Sequence, residues 1–268
     1  CAAPHPSVAP PGRSPHPADI PRPTTMKALL PTLSLLLALL AAHAAEPGFN
    51  PLFNGRDLAG WRVPPGDGGH WKVVDGVIDY DALSEAPGDK SLWTEREYGD
   101  FVLRLDWRIK ETPYINPGVP YILPDGTHAR DTKGKEIRLS VPDSDSGICL
   151  RGDVTYQVNI WCWPIGSGEM YGVRTNPRTS PELRAAVTPR TQADKPVGEW
   201  NTYEITVRGE TVKVVLNGKT VIPGATIPGL PAKGRIGLQH HGGMKDGKWN
   251  SPPSLLQFRN IELKELRP

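Results

Sequence analysis

Between Ser146 and Trp163 the chain reads Ser-Gly-Ile-Cys-Leu-Arg-Gly-Asp-Val-Thr-Tyr-Gln-Val-Asn-Ile-Trp-Cys-Trp, mixing indoles, amides and a guanidinium at strand spacing. A turn about Gly152-Asp153 makes it a hairpin, and alternation sorts the residues onto two faces. Tyr156, Val158, Ile160 and Cys162 form the apolar set. Gln157, Asn159, Trp161 and Trp163 share the other face, joined across the hairpin by Gly147, Cys149 and Arg151. A solvated sheet face favours Lys, Glu and Thr, and a core excludes unpaired amides. Indoles beside planar hydrogen-bonding groups instead suit a pyranose, whose C–H faces stack on aromatics while its hydroxyls pair with amide and guanidinium. The competing structural reading is an edge strand packed beneath the Pro-rich segment that follows.

Other residues could join this chemistry. In Arg235 to His241, Ile236 and Leu238 point to a core, which leaves Gly237, Gln239 and His241 on the opposite face. His240 then points away from His241 and reads as a surface histidine. The His-His pair lacks a third ligand at a characteristic spacing, so a metal rests on little, although a divalent ion is allowed for. Glu169, in Ser167-Gly168-Glu169-Met170-Tyr171-Gly172, would be a general acid or base if buried at a cleft, or else a solvated turn carboxylate. Asp125, His128 and Asp131 have weak metal-like spacing and read mainly as loop polarity.

Short alternating strands must position these groups. Phe101, Leu103, Leu105, Trp107 and Ile109 alternate with polar or charged neighbours at most steps, and further strands are expected at 71–74, 77–80, 200–208, 211–216, 220–222, 235–241 and 255–263. Asp75-Gly76, Gly209-Glu210 and Asn217-Gly218 mark turns between them. With no stretch of ten or more residues at helical period, the chain reads as an all-β sandwich or barrel. Two Pro- and Gly-rich segments, 112–146 and 164–198, read as long loops that wall a cleft.

The chain has 268 residues, of which 22% are charged. Residues 1–25 show no apolar periodicity and are expected to be a disordered or mistranslated leader. Met26-Lys27, the apolar run Ala28 to Ala42 interrupted by Pro31, and Ala42-His43-Ala44 read as a secretory signal peptide over 26–44, too short for a comfortable membrane span. Cleavage after Ala44 leaves a single domain, 45–268, that is periplasmic or secreted and no longer attached to a membrane. Taking away Arg13, Arg22, Lys27 and Asp19 from 31 basic and 29 acidic residues leaves the two signs equal. A neutral domain has no attraction for nucleic acid. Cys149 and Cys162 fall on opposite faces, so no disulfide is expected between them.

Seven motifs in order, Leu52-Phe53-Asn54-Gly55-Arg56-Asp57-Leu58-Ala59-Gly60-Trp61, the run Leu92 to Phe101, Asp145-Ser146-Gly147-Ile148, Gly198-Glu199-Trp200-Asn201, Leu216-Asn217-Gly218-Lys219, Ile236-Gly237-Leu238-Gln239 and Phe258-Arg259-Asn260-Ile261, together resemble the bacterial 3-keto-disaccharide hydrolase domain. The resemblance implies a concanavalin A-like jelly-roll β-sandwich of two antiparallel sheets that cleaves glycosides oxidised to a ketone at C3. Its substrate would be a small-molecule or oligosaccharide 3-keto sugar. The ketone acidifies the C2 proton; a base removes it, the C1 substituent leaves, and water adds to the unsaturated sugar. Where the family commonly shows Asn-Ser-Gly this chain has Asp145-Ser146-Gly147, and where it shows Glu-x-Gln this chain has Gln157-Val158-Asn159. A glutamine cannot act as a base. Proton transfer is then expected of His241 and Glu169, with Arg151 holding the enolate oxygen. Gln157, Asn159, Trp161, Trp163, Gln239, Tyr171 and Asp145 would bind the sugar. The alternative is a carbohydrate-binding module without catalysis.

Overall fold

The computed structural model describes residues 47–267. The expected leader, signal peptide and cleavage point lie outside the described residues.

Strands and short helices follow in chain order: β1 (Asn50–Pro51), β2 (Trp61–Arg62), β3 (Lys72–Val74), β4 (Val77–Asp79), β5 (Leu92–Thr94), β6 (Phe101–Ile109), β7 (Tyr114–Pro120), β8 (Arg138–Asp143), β9 (Ser146–Leu150) and β10 (Asp153–Ile160). Helices α1 (Tyr171–Arg174) and α2 (Pro181–Ala186) come next, then β11 (Asn201–Arg208), β12 (Thr211–Leu216), β13 (Lys219–Thr226), β14 (Gly237–Leu238), β15 (Met244–Lys245), β16 (Lys248–Trp249) and β17 (Leu256–Glu265). The larger antiparallel sheet runs β13-β12-β11-β6-β17-β4-β3, with β1 on β17. The smaller runs β10-β9-β14-β5-β2. The two enclose one apolar core, and the fold is a concanavalin A-like jelly-roll β-sandwich.

Alternation decides which side of each strand is buried. Phe101, Leu103, Leu105, Trp107 and Ile109 face the core together with Tyr203, Ile205 and Val207 of β11 and Val212, Val214 and Leu216 of β12. From the smaller sheet Leu92, Ile148, Leu150, Val158, Ile160 and Leu238 meet them. In β17 the buried set is Leu256 and Phe258, then Ile261 and Leu263. Asn260 absorbs the change of parity in a bulge at φ 50°, its amide donating to Asp106 Oδ2 at 2.8 Å.

The segment 112–146, expected to be a loop, holds the β7–β8 hairpin. Its Asn-Pro-Gly and Val-Pro-Asp sequences hid the strands, because proline in an edge ribbon forfeits only an outward-facing donor. The segment 164–198 contains α1 and α2. Ser180 caps α2 by accepting from Leu183 N–H at 3.2 Å, with Pro181 at the first helical position.

The β9–β10 turn differs from expectation in a way that moves a predicted site residue. Leu150 pairs with Asp153, so the two turn residues are Arg151 and Gly152, at φ 52° and 83°, the left-handed pair of a type I′ hairpin. A bulge between Asp153 and Gln157 restores the register, bringing Gln157 opposite Cys149. Arg151 thereby leaves the sheet face. Its buried guanidinium donates to the carbonyls of Gly99 (3.0 Å), Gly209 (2.7 Å) and Pro231 (2.8 Å) and to Asp100 Oδ1 (2.8 Å). It ties four chain segments together and cannot hold an enolate. Arg151→Ala is expected to cost about 3–5 kcal/mol of stability, because Asp100 and three carbonyls lose their donor. Urea denaturation checks this, and a loss below about 1 kcal/mol would contradict the clamp.

Candidate functional site

One row of residues crosses all five strands of the smaller sheet: Gln157, Cys149, Gly237, Trp93 and Arg62. It lies on the face turned away from the core. At its β10 end a cavity of about 260 Å³ is lined by Asn116, Asp145, Gln157, Asn159, Trp161, Trp163, Tyr171, Gln239, His241 and Pro252. Eight of the ten residues expected from sequence meet there. Arg151 and Glu169 do not.

The amides are held by close packing. Gly147 leaves room for Gln157, whose Oε1 a Cβ at that position would strike. Gln157 Oε1, Asn159 Oδ1 and Gln239 Oε1 are all buried and have no hydrogen-bond partner in the protein. Buried polar atoms are ordinarily paired, so three orphaned amide oxygens around one cavity make it a place that accepts hydrogen bonds from a ligand.

The aromatic wall has an unexpected order. Trp163 stacks on Trp161 with centroids 4.0 Å apart and planes 4° apart, while Tyr171 meets both rings edge-on. Trp161, expected on the open face, is 2% exposed, and its Nε1 donates to Gly166 O at 2.7 Å. Its chain segment turns away after Ile160, so the indole supports Trp163 from beneath. Trp163 Nε1 donates to Asp143 Oδ2 at 3.0 Å, Asn116 Nδ2 donates to the same oxygen at 2.9 Å, and Cys162 N–H reaches Asp143 Oδ1 at 3.2 Å. Asn116 and Asp143 were missed because both belong to the hairpin read as a loop. The Val-Pro-Asp-Ser-Asp run was the available signal.

Asp145 and His241 form the titratable part of the cavity. His241 Nδ1 lies 2.6 Å from the Pro252 carbonyl, which can only accept, so Nδ1 carries a proton and Nε2 faces Asp145 Oδ2 at 4.0 Å. Ser254 fixes the backbones of both: His241 N–H donates to its hydroxyl at 2.5 Å, and that oxygen lies 2.8 Å from the Asp145 carbonyl. Burial pushes the Asp145 carboxyl up to about 7, with the nearby Asp143 charge adding to the rise and His241 opposing it.

Glu169, expected to exchange protons, is fully buried in an ion pair with Arg174 Nε. Its backbone runs beside Asn159, exchanging hydrogen bonds at 2.9 Å through Glu169 O and the neighbouring Gly168 N–H. His240 is half-buried rather than a surface residue: its Nδ1 shares a hydrogen bond of 2.7 Å with the Tyr80 hydroxyl, and burial lowers the imidazole to about 4, with Lys90 and His241 adding to the fall. His128 lies against Arg174 and Glu136. Among the described residues no three His, Cys, Asp or Glu side chains converge on a metal position. Both Cys149 and Cys162 are free thiols, and no helix among the described residues is long and apolar enough to cross a membrane.

A two-sheet antiparallel sandwich with a polar, indole-walled cavity on its smaller sheet defines the structural class. The chain belongs to the 3-keto-alpha-glucoside-1,2-lyase-like domain family, whose model matches residues 48–264. Two crystal structures of proteins described as "putative glycosyl hydrolase" from Parabacteroides distasonis ATCC 8503 share the fold. One is 18% identical with a TM-score of 0.51 and aligns 82% of this chain with 94% of its own. The other is 22% identical with a TM-score of 0.52 and aligns 82% of this chain with 84% of its own. Among curated proteins, none matches the sequence.

The raised carboxyl predicts how stability follows pH. Folded Asp145 keeps its proton to about 7, whereas an unfolded aspartic acid loses it near 3.9. Its stabilising contribution is therefore complete below about 4 and is lost as pH rises through 7. His240 works in the opposite direction over 4 to 6.5 in wild type and variant alike, so the difference between them isolates Asp145. Asp145→Asn is expected to gain stability relative to wild type steadily between pH 4 and 7 in denaturant titrations. A pH-independent difference would remove the assignment.

Proposed function

We propose that the chain cleaves 3-keto-glycosides by C2 proton abstraction, elimination of the C1 substituent and hydration. Family membership supports a carbohydrate-related role. The observation that carries the finer reading is the Asp145–His241 pair in one cavity with three unpartnered amides and an indole wall. In the reacting state His241 Nε2 takes the C2 proton, and the electron pair moves into the C2–C3 bond as the ketone oxygen becomes an enolate. The enolate then re-forms the ketone, C1=C2 forms and the C1–O bond breaks, with Asp145 giving its proton to the departing oxygen. Water next adds hydroxyl to C1 and hydrogen to C2, restoring both groups and leaving a free 3-keto sugar.

A carboxyl near 7 suits this cycle, because it can be acid and base within one turnover at neutral pH. Gln157, Asn159 and Gln239 offer amide N–H groups to the enolate oxygen and carbonyl oxygens to sugar hydroxyls, the role first expected of Arg151. Trp163 supplies a stacking surface.

The test is turnover of a chromogenic 3-keto-glucoside beside its unoxidised parent. Wild type should cleave the keto form alone, more slowly when C2 carries deuterium. Asp145→Asn and His241→Ala should each lower kcat at least ~100-fold, the low end of general acid/base catalysis. Undiminished turnover in both variants refutes the assignment. Binding of the unoxidised glycan without any turnover by wild type would make the domain a binding module.

A further inference from the structure

β10 is the last strand of the smaller sheet and β13 the last of the larger, and the two do not pair with each other. Short helices bridge the gap between them: α1 packs on β10, α2 on β13, and the helices on each other. The approach of α1 is close, since a Cβ at Gly172 would strike the Thr155 carbonyl. Beside the helices the gap stays open as a cavity of about 640 Å³, within the ~300–1,000 Å³ of small-ligand clefts. It shares no lining residue with the Asp145–His241 cavity, although Tyr156 and Gly172 of the one are chain neighbours of Gln157 and Tyr171 of the other.

The floor of this cleft is apolar and its rim polar. Tyr156, Val173, Leu183, Ala225 and Ile227 continue the core into the lining. Tyr156 spends its hydroxyl on the Gly229 carbonyl at 3.0 Å, so its ring is what remains for a ligand. On the rim, the exposed Arg178 guanidinium has no hydrogen bond or ion pair among the described residues. Asn176 accepts from the Arg178 backbone N–H through Oδ1 at 2.9 Å, which leaves its Nδ2 donors free, and Thr155 Oγ1 is likewise unengaged. Hydrogen bonds from its own backbone N–H and from the Ser180 hydroxyl hold the Glu182 carboxyl below the usual range, so it is an anion at neutral pH. One cation and one anion leave the lining neutral. An anionic ligand would meet Glu182 as well as Arg178. A peptide adding as a strand would find the edge of β13 interrupted, because Arg190 N–H already donates to the Val221 carbonyl at 3.0 Å and Pro223 and Gly224 follow.

We propose that this cleft between the sheets is a second, non-catalytic carbohydrate site that takes the unoxidised rings of a neutral oligosaccharide. The Tyr156 ring and the aliphatic floor suit the C–H face of a pyranose, while guanidinium, amide and carboxylate on the rim suit hydroxyls, which both donate and accept. The site holds glycan beside the Asp145–His241 cavity without competing for it, and it does not depend on the keto-glycoside chemistry.

The test titrates maltotriose, cellotriose, xylotriose, mannotriose and the acidic trigalacturonate into isotope-labelled protein and follows the amide signals by NMR. At least one neutral trisaccharide should move the backbone signals of Thr155 and Gly172 and the side-chain amide of Asn176. Arg178→Ala, at an exposed position, should weaken that binding at least ~10-fold, the loss expected when a hydrogen bond to a charged group is removed. Thr155→Trp, also exposed, should block the cleft and covers the case in which the arginine variant is disturbed. No response to any neutral trisaccharide, a response to trigalacturonate alone, shifts confined to Gln157, Asn159 and Gln239, or unchanged affinity in both variants overturns the site. Turnover of the chromogenic 3-keto-glucoside should be the same in both variants as in wild type, so the two readings stand or fall separately: absent turnover with intact trisaccharide binding would sink the catalytic reading and leave this site standing.

Discussion

The arrangement of the cavity depends on one buried carboxylate. Asp143 ends β8 with no exposed surface and accepts from Trp163 Nε1, the Cys162 amide and Asn116 Nδ2, three donors from two segments of chain outside its own strand. A charge taken out of water persists only when hydrogen bonds replace its hydration, so the packing that buries Asp143 also fixes where those donors stand. The wall of the cavity and the hairpin beside it are thereby set by the same two oxygens. The charge acts again two residues later, adding to the burial that raises Asp145.

A second buried ion pair does a different job. Glu169 and Arg174 are almost without exposure, and Arg174 Nη1 also reaches the Gly126 carbonyl at 3.3 Å and His128 at 3.2 Å. These contacts join the loop between β7 and β8 to the end of α1, whose first residue, Tyr171, stands edge-on to the indole pair. Glu169 serves the site by holding Tyr171 and the hairpin loop in place. A carboxylate committed to a buried guanidinium is a poor proton carrier, because taking up a proton would leave the Arg174 charge buried and unpaired.

The sequence made some of this legible and hid the rest for physical reasons. Alternation in β6, β11 and β12 identifies the core face because every second side chain is apolar. The same period in β10 separates Gln157 and Asn159 from Val158 and Ile160, which is why the amides could be assigned to a cavity. Arg151 was lost because the turn begins one residue earlier than Gly152-Asp153 suggests. A non-glycine in the left-handed region is uncommon enough that nothing in the composition announces it. The burial of Glu169 and Trp161 depends on segments without period, where partners far along the chain decide exposure. Asn116 and Asp143 were hidden because prolines in β7 and β8 look like loop residues, whereas an isolated ribbon tolerates them.

The departures from the family pattern acquire meaning once both positions are seen to line one cavity. In the pattern the sequence resembles, an amide commonly stands where this chain has Asp145 and a carboxylate where it has Gln157, which would leave the number of carboxylates unchanged while the negative charge sits elsewhere. At position 157 a carboxylate would lie in the sheet row, beneath Gly147 and beside the free thiol of Cys149. At position 145 it stands 4.0 Å from an imidazole nitrogen whose partner nitrogen is already committed to a carbonyl. Burial raises that carboxyl to about 7, so at neutral pH it can both give and take a proton, which an ordinary exposed carboxylate would not. Under the proposed chemistry, proton transfer then falls to Asp145 and His241, the imidazole being anchored on the Pro252 carbonyl rather than placed in the sheet row.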